Sequence, residues 1–195
     1  MHIISGKFKN QKLIVPKGDI VRPTSGRLRE SLFNICHGYI EDALFLDVFA
    51  GSGAIGLEAL SRGAKHATFV DQSKESLASI ETNGKNLKIS RQMDILYGDA
   101  FVQMDKLEKR EKQFDIIYVD PPYDAFKVVN GEQVSFSLLI LQKINDSNLL
   151  KDGGELFIED SKDSIPGVDQ LSHLKLKSSR RLGRSFLQQY IKESV

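Results

Sequence analysis

The stretch LFLDVFAGSGAIGLEALSRG, residues 44–63, decides the fold. Residues 44–50 are mostly apolar, as is typical of a strand buried on both faces of a sheet. A glycine-rich turn follows, and residues 53–63 have the apolar spacing of a helix. A strand, a tight glycine turn and a helix in this order indicate a nucleotide-binding α/β unit.

The same alternation continues through the middle of the chain. Apolar runs predict further strands at 66–71, 94–99, 114–120 and 155–160, and helical patterns lie at 74–87 and 135–145. Strands buried on both faces with helices between them predict a parallel, doubly wound sheet. The loop after residue 120 is polar, and KDGG predicts a turn before the strand at 155–160. Two β-rich runs that flank Leu182–Gly183 predict a C-terminal antiparallel hairpin.

The N-terminal residues are predicted to form an extension that is separate from the α/β sheet. HIISGKFK and KLIVPK are expected to pair as a short β-hairpin around Asn10–Gln11. Pro23 and the candidate caps Thr24 and Ser25 then introduce a helix that continues to Cys36. We therefore predict a single domain over 1–195, in which 1–40 is a hairpin-and-helix extension and 41–195 is the catalytic core.

Composition limits the classes of protein that the chain can belong to. It has 195 residues, of which 41% are hydrophobic and 27% charged, and no stretch approaches a membrane span. Cys36 is the only cysteine, so no internal disulfide is possible and the cytoplasm is the expected location. The four histidines and Cys36 lack metal-ligand spacing, and we expect no bound metal.

Charge is segregated along the chain although the net charge is only +1. Residues 1–30 contain seven basic and two acidic residues, and residues 173–195 contain six basic residues against Glu193 alone. The middle of the chain is correspondingly acidic. This distribution is consistent with two ends that face a polyanion, and equally with solvated surface strands.

The glycine turn indicates a cofactor. Gly51, Gly53 and Gly56 form a GxGxxG between a strand and a helix, and Asp71 ends the next strand. The glycines allow close backbone approach, and an acid at that position can accept hydrogen bonds from ribose hydroxyls. By itself this motif suits a dinucleotide and S-adenosylmethionine equally well.

Two further acids favour S-adenosylmethionine. Asp47 lies in the first strand, where its carboxylate can reach a ligand ammonium directly or through water but would repel a pyrophosphate. Asp99 ends the third strand, placed to accept from an adenine amino group. The predicted cofactor contacts are therefore these acids, the loop and their neighbours: Asp47, Phe49, Gly51, Gly53, Asp71, Gln72, Asp99 and Ala100.

The sequence VDPPY, residues 119–123, predicts the chemistry. An exocyclic amine of a nucleobase is a poor nucleophile because its lone pair is delocalised into the ring. The Asp120 carboxylate and the Pro121 carbonyl can accept from its two N–H groups, and Tyr123 can stack on the extruded base. We predict these three as catalytic residues, with methyl transfer driven by positioning and electrostatics.

Other readings of these motifs remain open. Tyr123 and Lys127 form a YxxxK, the spacing of a short-chain dehydrogenase pair, but the tyrosine follows two prolines in a loop. A DNA or other RNA amino-methyltransferase of the adenine N6 type would share DPPY. A protein glutamine methyltransferase usually has asparagine at position 120, and an RNA-binding module without catalysis would not need the strand-end acids.

Together the motifs resemble those of a known family. IISGKFKNQKLIVPKG, RPTSGRLRESLFNI, LDVFAGSGAIGLEALSRGA, VDPPY and LGRSFLQQY are similar to the bacterial RsmD family, over nearly the whole chain. That resemblance implies a Rossmann-like, seven-stranded class I methyltransferase sheet with an antiparallel last strand. It also implies transfer of methyl from S-adenosylmethionine to the N2 amine of a guanine in 16S ribosomal RNA, which leaves S-adenosylhomocysteine.

The resemblance extends to site residues, with some departures. Gly51, Gly53, Asp71 and Asp99 match its cofactor motifs, and Asp120, Pro121 and Tyr123 match its guanine motif. His2 and Ser5 stand where the family usually has arginine and glycine, Gly26 replaces an aspartate, and Asp71 replaces a glutamate. An aspartate can still bind ribose, whereas the N-terminal changes concern RNA contacts.

The expected partner is 16S ribosomal RNA, in the small subunit or an assembly intermediate. The residues predicted to contact its phosphates lie within the first thirty residues: Lys7, Lys9, Lys12, Arg22, Arg27 and Arg29. The C-terminal hairpin, through Arg180, Arg181 and Arg184, either assists or is only solvated. We expect a monomer without membrane contact.

Overall fold

The structure is a computed structural model that describes residues 1–16, 26–122, 125–129, 131–162, 165 and 167–193. Pro23, the predicted caps Thr24 and Ser25, and the predicted RNA contact Arg22 lie outside these residues. The chain divides into two compact units, Met1–Gln103 and Met104–Val195. In the described part of the chain, no helix has the length and apolar content needed to cross a membrane.

The first unit contains three parallel strands, in the order β3-β2-β1. Leu44 of β1 pairs with His66 of β2, and Ala67 of β2 pairs with Met93 of β3. The elements of this unit, including the helix α4 that continues into the second, are α1 (Gly26–Cys36), β1 (Leu44–Val48), α2 (Ala54–Ser61), β2 (His66–Asp71), α3 (Lys74–Asn86), β3 (Met93–Tyr97) and α4 (Ala100–Lys109). Each predicted strand is present, whereas α4 was not specifically predicted.

Helix α2 is the central helix of this unit. All eight of its residues are buried, which agrees with its apolar sequence AIGLEALS. Gly56 lets the helix lie directly against β2, because a Cβ at this position would come within 2.3 Å of the Phe69 ring. Close packing of helix on strand fixes where the preceding glycine loop lies.

Four strands of the second unit belong to the large sheet, in the order β4-β7-β9-β8. Strand β4 is parallel to β7, and β9 is antiparallel to both β7 and β8. The elements are β4 (Phe114–Val119), β5 (Phe126–Val129), β6 (Glu132–Ser135), α5 (Phe136–Asn145), β7 (Leu150–Asp160), β8 (Leu174–Leu182) and β9 (Ser185–Lys192). Over both units the sheet has seven strands, β3-β2-β1-β4-β7-β9-β8, mostly parallel and ending in an antiparallel hairpin as predicted.

Two features of this unit differ from the sequence prediction. The region predicted as a polar loop after residue 120 contains a two-stranded antiparallel hairpin, β5–β6, in which Phe126 pairs with Ser135. The predicted turn at 151–154 lies inside β7, where the register jumps from Leu150 opposite Phe114 to Glu155 opposite Ile116. The turn is thus an interruption of the strand, with Gly153 at φ 74°.

The N-terminal segment, residues 1–16, is less regular than the predicted hairpin. A single antiparallel bridge joins His2 and Lys12, and backbone bonds connect Ile3 with Asn10 and Gln11. The intervening residues turn toward α2, where the Lys7 amide donates to the Ser61 carbonyl at 2.7 Å. The segment therefore forms a loop that packs on α2 and has one β-bridge in place of the predicted hairpin.

Candidate active site

The glycine loop after β1 has an unusual backbone. Phe49, Gly51 and Gly53 have φ values of 62°, 52° and 72°, in the left-handed region. A non-glycine residue is uncommon there, and such strain is often found at ligand sites. At Gly53 a Cβ would also lie 2.6 Å from the Ile80 side chain. The predicted loop residues Phe49, Gly51 and Gly53 therefore form one tight turn at the start of α2.

Asp71 joins this loop to the end of β2. Its Oδ2 accepts from the Gly51 amide at 2.7 Å, and its Oδ1 accepts from the Ser73 amide at 2.8 Å. The Ala50 amide also donates to the Val70 carbonyl at 3.0 Å. One carboxylate thus holds both turns, and each oxygen has further lone-pair capacity for a ligand hydroxyl.

The loop after β3 adjoins the same turn. The Gly98 amide donates to the Asp71 carbonyl at 3.0 Å. Asp99 is exposed and its Oδ1 accepts from the Val102 amide at 3.1 Å, at the start of α4. Gln72 is exposed, and Ala100 is 5% exposed. The predicted cofactor residues after β1, β2 and β3 are therefore brought together at the carboxyl ends of three adjacent strands.

Asp47 is buried near the end of β1. It is 1% exposed, and its Oδ2 accepts from the Gly56 amide in α2 at 2.9 Å. Contact of Asp47 with a ligand ammonium, directly or through water, stays a prediction. The carboxylate ties β1 to the first turn of α2, which makes Asp47 a residue that positions the glycine loop.

The catalytic motif lies in the second unit. Asp120 directly follows β4 and is half-buried, and Pro121 is buried. Tyr123, the third predicted catalytic residue, lies outside the described residues. Pro122 borders an open cleft of about 470 Å³, whose lining includes Phe126, Ser135 and Asp160. The motif thus adjoins a cavity large enough for a small planar group.

Among the predicted RNA contacts that the structure describes, four are exposed and Arg29 is buried. Lys7, Lys9, Lys12 and Arg27 are exposed. Arg29, which we predicted to contact RNA phosphates, is 4% exposed and lies 3.5 Å from Glu58, a position that does not suit such a contact. Burial lowers the pKa of Arg29, and nearby Glu58 only partly opposes this effect.

Acidic partners offset only part of the positive charge of the C-terminal hairpin. Lys175 pairs with Glu193 at 2.5 Å, and Lys177 pairs with Glu155 at 2.8 Å. Near the turn, Arg180, Arg181 and Arg184 are exposed, and Arg181 lies over the Phe186 ring at 5.9 Å. The end of this hairpin near its turn is therefore the more strongly cationic one.

Sequence reasoning missed the residues that hold the N-terminal segment. Glu58, Ser61 and Asn83 are buried and bond to its backbone. The one available signal was Glu58, a lone acid in the middle of the otherwise apolar helix α2. A buried acid requires partners, but the two backbone amides that bond to Glu58, those of Ile4 and Ser5, lie more than fifty residues away in sequence.

The fold is that of a class I methyltransferase. The structure "Putative methyltransferase yhhF from Escherichia coli" has a TM-score of 0.81 and 28% identity, and the match covers 100% of this chain and 99% of that one. The chain belongs to the family described as "Conserved hypothetical protein 95", which matches residues 1–191, so the RsmD-family prediction is confirmed.

Named relatives agree with this assignment. The "Ribosomal RNA small subunit methyltransferase D" of Haemophilus influenzae is 33% identical over 163 residues, which are 84% of this chain and 80% of that protein. The "Putative rRNA methyltransferase YlbH" of Bacillus subtilis is 34% identical over 163 residues, 84% of each chain.

Proposed function

We propose that this protein transfers a methyl group from S-adenosylmethionine to the N2 amine of a guanine in 16S ribosomal RNA, leaving S-adenosylhomocysteine. The observation that carries the proposal is the junction at Asp71, which joins the loops after β1, β2 and β3 in a chain of this family. The partner would be the small subunit or an assembly intermediate, since relatives are named as small-subunit methyltransferases.

The first unit supplies residues that fit the cofactor. Asp71 has remaining acceptor capacity for ribose hydroxyls, and exposed Asp99 can accept from the adenine amine. Gln72 and Ala100 flank these acids, and Phe49, Gly51 and Gly53 shape the loop beside the ligand. Asp47 acts through the loop, as its bond to Gly56 indicates. When bound, S-adenosylmethionine supplies an electrophilic methyl group on a sulfonium.

The second unit supplies acceptors for the target amine. Asp120 follows a buried strand and Pro121 has a fixed φ, so both acceptors are held by rigid backbone. Hydrogen bonds from the amine to the Asp120 carboxylate and the Pro121 carbonyl would stabilise positive charge as nitrogen attacks. Tyr123, by the sequence prediction, would stack on the extruded base.

The surface charges are compatible with an RNA substrate. Lys7, Lys9, Lys12 and Arg27 are exposed on the first unit, and the arginines of the β8–β9 hairpin are exposed on the second. Cations of this kind contact phosphates without reading sequence, so they would contribute affinity that falls with salt. The choice of guanine would then depend on RNA shape and on which base can be extruded.

A direct experiment separates this function from its alternatives. The protein is incubated with labelled S-adenosylmethionine and, separately, small subunits, duplex DNA or release factors. We expect label in 16S RNA, and digestion to nucleosides should yield N2-methylguanosine. Label on adenine N6 would identify the alternative amino-methyltransferase, label in release factor would identify a glutamine methyltransferase, and either result would overturn the proposal.

A further inference from the structure

Glu58 is a buried acid to which the proposed chemistry assigns no role. Its side chain is 0% exposed, in the middle of α2. The Ile4 amide donates to its Oε2 at 2.8 Å, and the Ser5 amide donates to its Oε1 at 2.9 Å. The Arg62 guanidinium lies 2.9 Å from Oε1, and the Arg29 guanidinium lies 3.5 Å from Oε2. The carboxylate is thus bonded to the backbone of the N-terminal segment and to two cations.

Asn83 provides a second attachment on α3. Its Oδ1 accepts from the Ile14 amide and its Nδ2 donates to the Ile14 carbonyl, both at 2.8 Å. The side chain therefore bonds both backbone groups of one residue, as a neighbouring strand would do. Asn83 is 1% exposed, so this amide is excluded from water and depends on Ile14 for partners.

Ser61 holds the segment between these two attachments. Its hydroxyl accepts from the Phe8 amide at 3.0 Å and donates to the Ser5 carbonyl at 2.6 Å. Gly6 passes so close that an added Cβ would lie 1.9 Å from the Ser61 carbonyl oxygen. The segment is therefore fixed near residues 4–8 and again at Ile14. Between and beside these points it presents Lys7, Lys9 and Lys12 to solvent.

The two helices involved are those that start at the cofactor loops. Helix α2 begins directly after Gly53, and α3 begins after its cap Ser73, two residues beyond Asp71. The sulfur of Met1 also lies 3.8 Å from the Ser52 hydroxyl in the glycine loop. The N-terminal segment is thus bonded to the elements that form the cofactor site.

We propose that Glu58 and Asn83 are positioning residues that clamp segment 1–16 to α2 and α3 and thereby present its lysines to ribosomal RNA. The inference rests on the proposed function for its RNA partner. Burying a carboxylate is costly, and an apolar residue of similar size would serve packing as well. What Glu58 adds is a fixed register for the segment. A segment ordered before binding loses less conformational entropy when it meets the phosphates.

The sharpest variant pair is Asn83→Ala against Thr82→Ala. Thr82 is exposed and its hydroxyl donates to the Ala78 carbonyl of its own helix, so Thr82→Ala controls for a lost side chain in α3. Hydrogen exchange is followed at the Ile4, Ser5 and Ile14 amides. We expect Asn83→Ala to raise exchange at Ile14 by about tenfold or more, as two lost hydrogen bonds imply, and Thr82→Ala to leave it unchanged.

Binding and kinetics then test the positioning role. Asn83→Ala should raise the KM for small subunits several-fold, while kcat at saturation and the cofactor Kd stay near wild type. Glu58→Gln, which keeps the shape but replaces an acceptor by a donor, should do the same and raise exchange at Ile4 and Ser5. In a variant with Lys7, Lys9 and Lys12 changed to Gln, adding Asn83→Ala should raise the KM for small subunits by a smaller factor than it does in wild type. The reason is that the lysine changes and Asn83→Ala act through the same segment.

Two results would overturn the inference. Unchanged exchange at Ile14 in Asn83→Ala and at Ile4 and Ser5 in Glu58→Gln would show that the segment is not clamped there. Faster exchange with an unchanged KM for subunits would show that the clamp does not position an RNA contact. A wild-type protein that fails to methylate subunits would instead contradict the proposed function, and the exchange measurements do not depend on that outcome.

Discussion

The Asp71 carboxylate accepts a hydrogen bond from the Gly51 amide at 2.7 Å, across the gap between the loops that follow β1 and β2. Its other oxygen accepts from Ser73 at the start of α3. Asp71 therefore holds the glycine loop in shape. If it also binds ribose, as we propose, one side chain serves both the formation of the site and recognition of the cofactor.

Asp71→Ala should weaken S-adenosylmethionine binding by roughly 1–3 kcal/mol, the range for leaving hydrogen-bonding groups unpaired. Part of the loss would come from the ribose contact and part from the released Gly51 amide. Isothermal titration calorimetry measures the change. Glu81→Gln is the control, because Glu81 is a partly exposed acid that pairs with Lys85 on the same α3. Equal affinities for Asp71→Ala and wild type would disprove the ribose assignment.

Asp120→Ala should leave cofactor binding nearly intact and slow single-turnover methyl transfer by about two orders of magnitude or more, the scale of losing one transition-state hydrogen bond. Asp120→Asn should be milder, because the amide oxygen can still accept. Rapid-quench measurement with saturating cofactor isolates the chemical step. Asp115→Ala serves as the control, since Asp115 lies in β4, the strand that Asp120 follows, and pairs with Lys151. A wild-type rate in Asp120→Ala would mean that the motif has another role.

Changing Lys7, Lys9 and Lys12 together to glutamate should weaken binding to small subunits and flatten its dependence on salt, because fewer counterions are released. Cofactor affinity should not change. The matched control changes three other exposed lysines, Lys106, Lys109 and Lys112, to glutamate. Filter binding over a range of salt concentrations distinguishes the two. If both triple variants lose affinity equally, general charge and not the N-terminal segment is responsible.

Lys143 allows a prediction about pH. Its ammonium lies 2.7 Å from both Asp105 and Glu108, and the hydrogen bond from Lys143 lowers the pKa of Asp105. Burial opposes the charged lysine, but hydrogen bonds with the two carboxylates outweigh burial and raise the pKa of Lys143. A carboxylate with a lowered pKa stabilises the fold above its unfolded pKa, and this stability is lost as pH falls through the folded pKa.

Lys143→Met should therefore lower the free energy of unfolding at pH 7 by about 0.5–1 kcal/mol, a small effect because the pair is partly exposed. The difference from wild type should shrink as pH falls below the ordinary aspartate pKa of about 3.9. Urea denaturation at pH 7, 4 and 3 measures it, with Lys106→Met as the control. A difference that persists unchanged at pH 3 would point to packing of the lysine stem and not to its charge.

The alternating strands and helices could be predicted from the sequence because each is marked by a local pattern of apolar residues. Strand β2 matches the predicted 66–71 at both ends, since HATFVD is a continuous buried run. The β5–β6 hairpin escaped prediction because β5 is exposed throughout, so its FKVV sequence lacks the buried alternation that marks a half-buried strand. The KDGG sequence predicted a turn before the strand, but in the structure it is an irregularity inside β7, because β7 pairs with β4 both before and after it.

The predicted cofactor residues could be grouped because topology brings the ends of adjacent parallel strands to one edge of a sheet. Their individual surroundings could not be predicted in the same way. The burial of Asp47 depends on how closely α2 packs, and buried Arg29 lies beside Glu58 of the same helix. Both outcomes depend on the packing of α2 against other elements, which a local sequence pattern does not reveal. Tyr123, the single predicted domain and the RNA contacts stay predictions.

The attachment of Ile14 to Asn83 also bears on the order in which the protein is made. The two residues are 69 positions apart, and at roughly 5–20 residues per second the ribosome needs several seconds to reach the second after the first. During that interval the first sixteen residues have no α3 to dock on. The beginning of the chain would thus be among the last parts of its unit to reach native order, and a nascent chain stopped before Asn83 should expose it to protease.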